Sequence, residues 1–113
     1  MTDKIIYIGI DPGMGGAIAI KIDDLVYTST IRSILDIKIS LNMVKEFVDN
    51  LDYKVICYKE EVHGCGVSFK TKAKVSARTQ GVMMRNVGWL EGVLTVYSIP
   101  WKIVSPMEWH ITL

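Results

Sequence analysis

The sequence predicts an α/β fold built on a mixed five-stranded sheet with flanking helices. Three observations carry this reading. The first 30 residues hold three β-rich runs separated only by turn-forming residues, the pattern of an antiparallel meander. From Ser40 the apolar residues change to a helical period. Two more short apolar runs, 53–58 and 101–104, each follow a helical stretch, which is how further strands join a sheet through crossovers.

The elements follow in order. Lys4 to Ile10 is rich in β-branched residues and ends at Asp11-Pro12-Gly13; after Gly15-Gly16 a second run covers Ala17 to Ile22. This reads as strand, Gly-rich turn, strand. Asp23-Asp24 turns the chain into a third strand, Leu25 to Thr30. Leu41, Val44, Val48 and Leu51 then share one helical face, with Ser40 as the cap candidate. A fourth strand is expected at Tyr53 to Tyr58, running into Lys59-Glu60-Glu61-Val62-His63-Gly64. A polar segment leads to about Arg78. Beyond it Val82, Met83, Val87, Leu90, Val93 and Leu94 trace a second helical stripe, with Gly81, Arg85, Gly88 and Gly92 on the adjoining face. Glycine disfavours a helix interior by about 1 kcal/mol relative to alanine, so three on one face imply a close approach to the backbone. Trp101 to Val104 is the fifth strand, and Ser105-Pro106-Met107-Glu108 has the cap, proline and acid of a helix start.

Composition bounds the rest. With 113 residues, 50% of them hydrophobic and 22% charged, the chain is sized for one domain, residues 1–113, with its own core. The aliphatic content excludes a disordered class. No apolar run reaches membrane-span length, and the N-terminus enters a strand pattern without an export signal. Cys57 and Cys65 are too few for a disulfide scaffold and lack metal-site spacing, so a soluble chain in a reducing cytoplasm is expected.

The formal net charge is +1, but it is unevenly placed: residues 64–90 carry Lys70, Lys72, Lys74, Arg78 and Arg85 and no acid. Such a stretch is either a solvated loop or a footprint for phosphates. Two acids lie at strand ends. Asp11 alone reads equally as a turn-forming residue before Pro-Gly, and Glu60 alone as a solvated strand terminus. If their strands are neighbours, however, the two carboxylates converge, and paired carboxylates suit Mg²⁺, which takes oxygen ligands together with substrate phosphates. Glu61 is expected on the opposite face from Glu60. His63 reads as a phosphate contact, as a proton shuttle, or as an exposed loop residue. With His110 remote, no zinc spacing exists. Trp89, Trp101 and Trp109 read as core or interface residues rather than base-stacking platforms.

The element order is that of the ribonuclease H-like fold, and the motifs resemble those of RuvC-like Holliday junction resolvases. IGIDPGMGGAIAI resembles their first motif and KEEVHG their second, while GVMMRNVGWLEGVL and IPWKIVSPMEW are similar to the helix and following strand-Pro-helix segment of phage-type members. The resemblance implies that Asp11 and Glu60 are metal-binding catalytic acids. It also implies Mg²⁺-dependent cleavage of branched DNA, with Mn²⁺ as a substitute, by a cytoplasmic homodimer in a bacterium or phage-infected cell. Lys70, Lys72, Lys74, Arg78, Arg85 and His63 would hold the DNA, and the helix around Gly81 to Leu94 would serve the dimer interface or junction contacts. The family completes its site with acids on a last helix, which this sequence, ending at Leu113, does not reach; neither Glu91 nor Glu108 matches those positions. The expectation is therefore a C-terminally truncated resolvase that cuts poorly. Two other readings stay open: a degenerate branched-DNA-binding protein, and an actin-like ATPase fragment whose Gly13 to Gly16 hairpin contacts nucleotide phosphates.

Overall fold

The computed structural model describes residues 4–13, 15–61 and 77–104. Within them the chain runs β1 (Ile5–Asp11), β2 (Ala17–Ile22), β3 (Leu25–Thr30), α1 (Ile34–Leu51), β4 (Lys54–Glu60), α2 (Ala77–Val96) and β5 (Lys102–Val104). The strands form one sheet in the order β3-β2-β1-β4-β5. β1, β2 and β3 are antiparallel neighbours, whereas β4 lies parallel to β1 and β5 parallel to β4. The sheet is thus mixed, as the sequence predicts, because short turns can only reverse a strand while helical crossovers restore its direction.

Alternation along the strands separates two faces. Ile6, Ile8 and Ile10 of β1, Ile18, Ile20 and Ile22 of β2, and Cys57 of β4 are buried, and they meet Ile37, Leu41 and Val44 of α1 and Leu90, Val93 and Leu94 of α2 in one core. Burial pushes the Cys57 thiol up to about 12, against the lowering effect of the nearby Lys59 charge, so it serves as a small apolar residue rather than a nucleophile. Among the described residues nothing covers the centre of the opposite sheet face. There Tyr7, Gly9, Ala19, Lys21, Val26 and Tyr58 line a shallow hollow, and Tyr7 and Val26 are exposed.

The turns follow local chemistry. Asp23, at the β2–β3 turn, has a φ of 55°, a left-handed conformation that Asp tolerates, and its Oδ2 accepts a 2.9 Å hydrogen bond from the Tyr53 hydroxyl. Helix α1 starts well before the Ser40 cap predicted from sequence. Its N-cap is Ser33: the Ser33 hydroxyl accepts from the Asp36 amide at 3.4 Å, and Asp36 Oδ2 accepts from the Ser33 amide at 3.1 Å. This capping box satisfies two otherwise orphaned amides, and Ser40 lies inside the helix. The first turns carry exposed Ile34, Leu35 and Ile39, which blur the amphipathic pattern there. β4 extends two residues past the predicted Tyr58, so Glu60 belongs to the strand itself.

The glycine expectation on α2 is not met among the described residues, where a Cβ at Gly81, Gly88 or Gly92 would meet nothing within 4 Å. Ser105 to Glu108, expected to start a helix, lies outside the described residues. Among the described residues no helix is long and apolar enough to cross a membrane. The core assignment has a direct check by urea denaturation. Ile8→Ala, at a position 1% exposed, should lower stability by about 2–5 kcal/mol. Leu35→Ala, at a position 58% exposed, should stay within about 0.5 kcal/mol, and equal losses at both positions would contradict the assignment.

Candidate metal and nucleic-acid site

The β1–β4 register decides where the two acids sit. Tyr7 pairs with Ile56, Gly9 with Tyr58 and Ile10 with Lys59; one step further sets Asp11 beside Glu60. In a parallel ladder paired residues project on the same side, here the open face, because Ile10 and Lys59 are both buried towards the helices. The two carboxylates therefore emerge side by side at the C-terminal ends of adjacent strands. Ligand sites in parallel α/β sheets favour that edge.

Asp11 is exposed and held by its own turn. Its Oδ1 accepts from the Gly13 amide at 3.0 Å, the local side-chain-to-backbone bond that makes Asp a turn former. The same turn explains Gly16. A Cβ there would lie 2.7 Å from the Asp11 carbonyl oxygen and 3.0 Å from that of Gly13, so any larger residue would displace the hairpin that carries the acid. The Gly16 carbonyl in turn accepts from the Ile31 amide at 2.7 Å, tying the hairpin to the end of β3.

Glu60 is half-buried. It titrates above the ordinary glutamate range, first because burial disfavours its charged form and second because the Asp11 charge stands close by. Two acids in mutual repulsion on an open face suit a divalent cation, which would relieve that repulsion. Among the described residues no third His, Cys, Asp or Glu joins them. Glu61 is exposed, and its amide donates to the Val104 carbonyl at 2.8 Å, fastening the end of β4 to β5.

The other predicted contacts separate. Arg78 is exposed near the start of α2. Arg85 stacks on Trp89, its guanidinium carbon 4.3 Å from the ring centroid, a cation–π arrangement. His63, Lys70, Lys72 and Lys74 lie outside the described residues. Sequence reasoning missed two groups near the acids. Asn86 is fully buried and donates from Nδ2 to the Gly13 carbonyl at 3.0 Å. Lys59 is buried beside Glu60 in the chain and forms a 3.1 Å ion pair with Glu91 of α2. A polar residue inside an otherwise apolar helical stripe was the available signal for Asn86.

No family model matches the chain, and no curated protein matches it. Solved structures do. RuvC of T. thermophilus in complex with a Holliday junction substrate is similar with a TM-score of 0.56 at 11% identity, over 91% of this chain and 66% of that one. Another T. thermophilus RuvC structure gives a TM-score of 0.44 at 14% identity, over 90% of this chain and 64% of that one. YeaZ from Pseudomonas aeruginosa gives 0.40 at 12% identity, over 88% and 42%. This chain thus covers less than two thirds of the length of the RuvC structures it resembles. At such identities the likeness of the first shows the fold, the RuvC-like ribonuclease H arrangement, and the mixed five-stranded sheet agrees with it.

The acid pair has a pH signature. In the folded chain Glu60 holds its proton more tightly than in the unfolded one, so the stability it contributes is full below the unfolded value and is lost as pH rises through the elevated folded value. Without divalent cations the melting temperature should fall across that window, and Glu60→Gln should flatten the fall. A fall that persists undiminished in Glu60→Gln would contradict the pairing.

Proposed function

We propose that this chain is a metal-dependent endonuclease of branched DNA, acting on four-way junctions through Asp11 and Glu60. The observation that carries the reading is the placement of these two carboxylates side by side on β1 and β4, in a fold shared with a RuvC whose structure holds a Holliday junction substrate.

Asp11 and Glu60 would each lend carboxylate oxygens to Mg²⁺, or to Mn²⁺ in its place. Bound there, the metal would supply activation of water and stabilisation of the leaving oxygen in phosphodiester hydrolysis. The residues of the chain do the rest. The Gly13 amide fixes the Asp11 carboxylate by its 3.0 Å bond, so that one oxygen stays directed while the other remains open to a ligand. Glu60 must be ionised to take part, and its raised titration makes cation binding weaken as the pH falls through that elevated value. Lys70, Lys72, Lys74, Arg78, Arg85 and His63 are assigned to the DNA backbone, where cations position phosphates without reading sequence. A homodimer would present two such sites to the two strands of a junction.

A second reading is favoured by one observation: among the described residues the acids number only two at this place. In that reading the chain recognises branched DNA without cutting it. A nucleotide-phosphate role for the Gly13 to Gly16 hairpin has less support, because the Gly13 amide is already given to Asp11.

A single gel experiment tests the proposal: the purified chain with a labelled four-way junction and a matched linear duplex, in Mg²⁺, beside Asp11→Asn. The expected result is junction-selective binding with slow cleavage that is confined to the junction and abolished by Asp11→Asn. Junction-selective retardation without cleavage would move the assignment to the binding-only reading. Equal affinity for duplex and junction, or cleavage that survives the substitution, would overturn the proposal.

A further inference from the structure

Helix α2 reaches β4 and the turn that follows β1, and it does so through polar groups. Asn86 sits on the same helix face as Leu90, Val93 and Leu94, with 0% of its surface exposed. A buried amide carries a desolvation penalty that leucine or valine would not, so its hydrogen bonds are what make it tolerable there. Its Nδ2 donates to the Gly13 carbonyl at 3.0 Å, across 73 positions of sequence, and its Oδ1 is approached by Arg85 Nη2 at 3.5 Å. Gly13 is also the residue whose amide holds Asp11 Oδ1. One residue, Gly13, thus joins the core of α2 to the exposed acid: its carbonyl is held from below by Asn86, and its amide holds the carboxylate above.

Five residues along the helix, Glu91 Oε2 lies 3.1 Å from Lys59 Nζ, whose side chain is 4% exposed while that of Glu91 is 39% exposed. Lys59 precedes Glu60 in β4 and pairs in register with Ile10, the residue before Asp11. The same helix therefore grips β4 next to one acid and the β1–β2 turn next to the other. Apolar packing alone would hold α2 to the sheet but would leave the helix free to settle by small shifts. Hydrogen bonds and an ion pair with one buried partner require particular atoms to meet.

We propose that Asn86 is a positioning residue for Asp11, and that the Lys59–Glu91 pair is the matching hold on Glu60, so that α2 sets the separation of the two carboxylates. This rests on the reading of Asp11 and Glu60 as a cation site. Groups that orient metal ligands without touching the metal affect affinity strongly, and the grip acts in that way: Asn86 orients the turn, and the turn orients the acid.

Mg²⁺ titration by calorimetry, with thermal melting in parallel, tests the proposal on the full chain, on Asn86→Asp, on Glu91→Gln and on Leu90→Ala. Asn86→Asp keeps the shape but has no N–H to give the Gly13 carbonyl, and its Mg²⁺ affinity should drop ~10- to 100-fold. Glu91→Gln should weaken binding to a lesser extent. Leu90→Ala, a core truncation that leaves both holds in place, should lower the melting temperature while leaving the Mg²⁺ affinity unchanged. Wild-type affinity in Asn86→Asp, or a loss in Leu90→Ala as large as in Asn86→Asp, would overturn the positioning role alone. Absence of Mg²⁺ binding by the unsubstituted chain would overturn the cation-site reading and the grip with it. If Asn86→Asp does not fold, Glu91→Gln decides: weaker binding supports the hold on β4, and unchanged binding overturns it.

Discussion

The parallel pairing of β1 with β4 is the constraint on which the rest of this structure depends. Two strands running the same way cannot be joined by a tight turn, so α1 must carry the chain back along the sheet, and its Ile37, Leu41 and Val44 cover the buried isoleucines of β1 and β2 on the way. The same pairing brings two strand ends to one edge. Because Ile10 is opposite Lys59, parity leaves Asp11 and Glu60 no choice but to share the open face. A slip of one residue in that register would send Glu60 into the core and Lys59 out to solvent.

Holding two acids together is unfavourable in the absence of a cation, and the surrounding structure is arranged to withstand it. Burial and, second to it, the Asp11 charge both raise Glu60, so the pair gives up its second proton less readily than a free glutamate would. The Asp11 carboxylate is fixed by the Gly13 amide, and glycine is required at position 16 because a Cβ there would strike the Asp11 and Gly13 carbonyls. Beneath the pair lies Lys59, a buried cation whose partner Glu91 is partly exposed. Such a pair adds little net stability, but removing Glu91 leaves the buried Lys59 charge uncompensated. Its placement directly under the acid edge is better understood as a specification of geometry than as a source of stability.

Much of this was legible in the sequence. The three β-rich runs with short Gly- and Asp-containing turns gave the meander, and the β2 and β3 limits agree with the structure. Asp11 and Glu60 stood out because each ends an apolar strand. The start of α1 is not legible in the sequence for a physical reason: its first turns expose Ile34, Leu35 and Ile39, so the periodic stripe becomes visible only after Ser40 and points away from the Ser33–Asp36 box before it. The glycines of α2 suggest a close approach, yet among the described residues nothing comes near Gly81, Gly88 or Gly92. Asn86 shows in the sequence only as a break in the apolar stripe of α2, and the contacts that it and Lys59 make are not legible there, since their partners, Gly13 and Glu91, are remote in sequence and become neighbours only once α2 has packed on the sheet.

The central claim is that Asp11 and Glu60 form one site. A double-substitution cycle tests it most directly: the rise in melting temperature on adding Mg²⁺, at mildly alkaline pH, for the chain, Asp11→Asn, Glu60→Gln and the two together. One shared site requires that either substitution remove most of the rise and that the second add little to the first. Independent, additive losses, or a full rise in the doubly substituted chain, would contradict it.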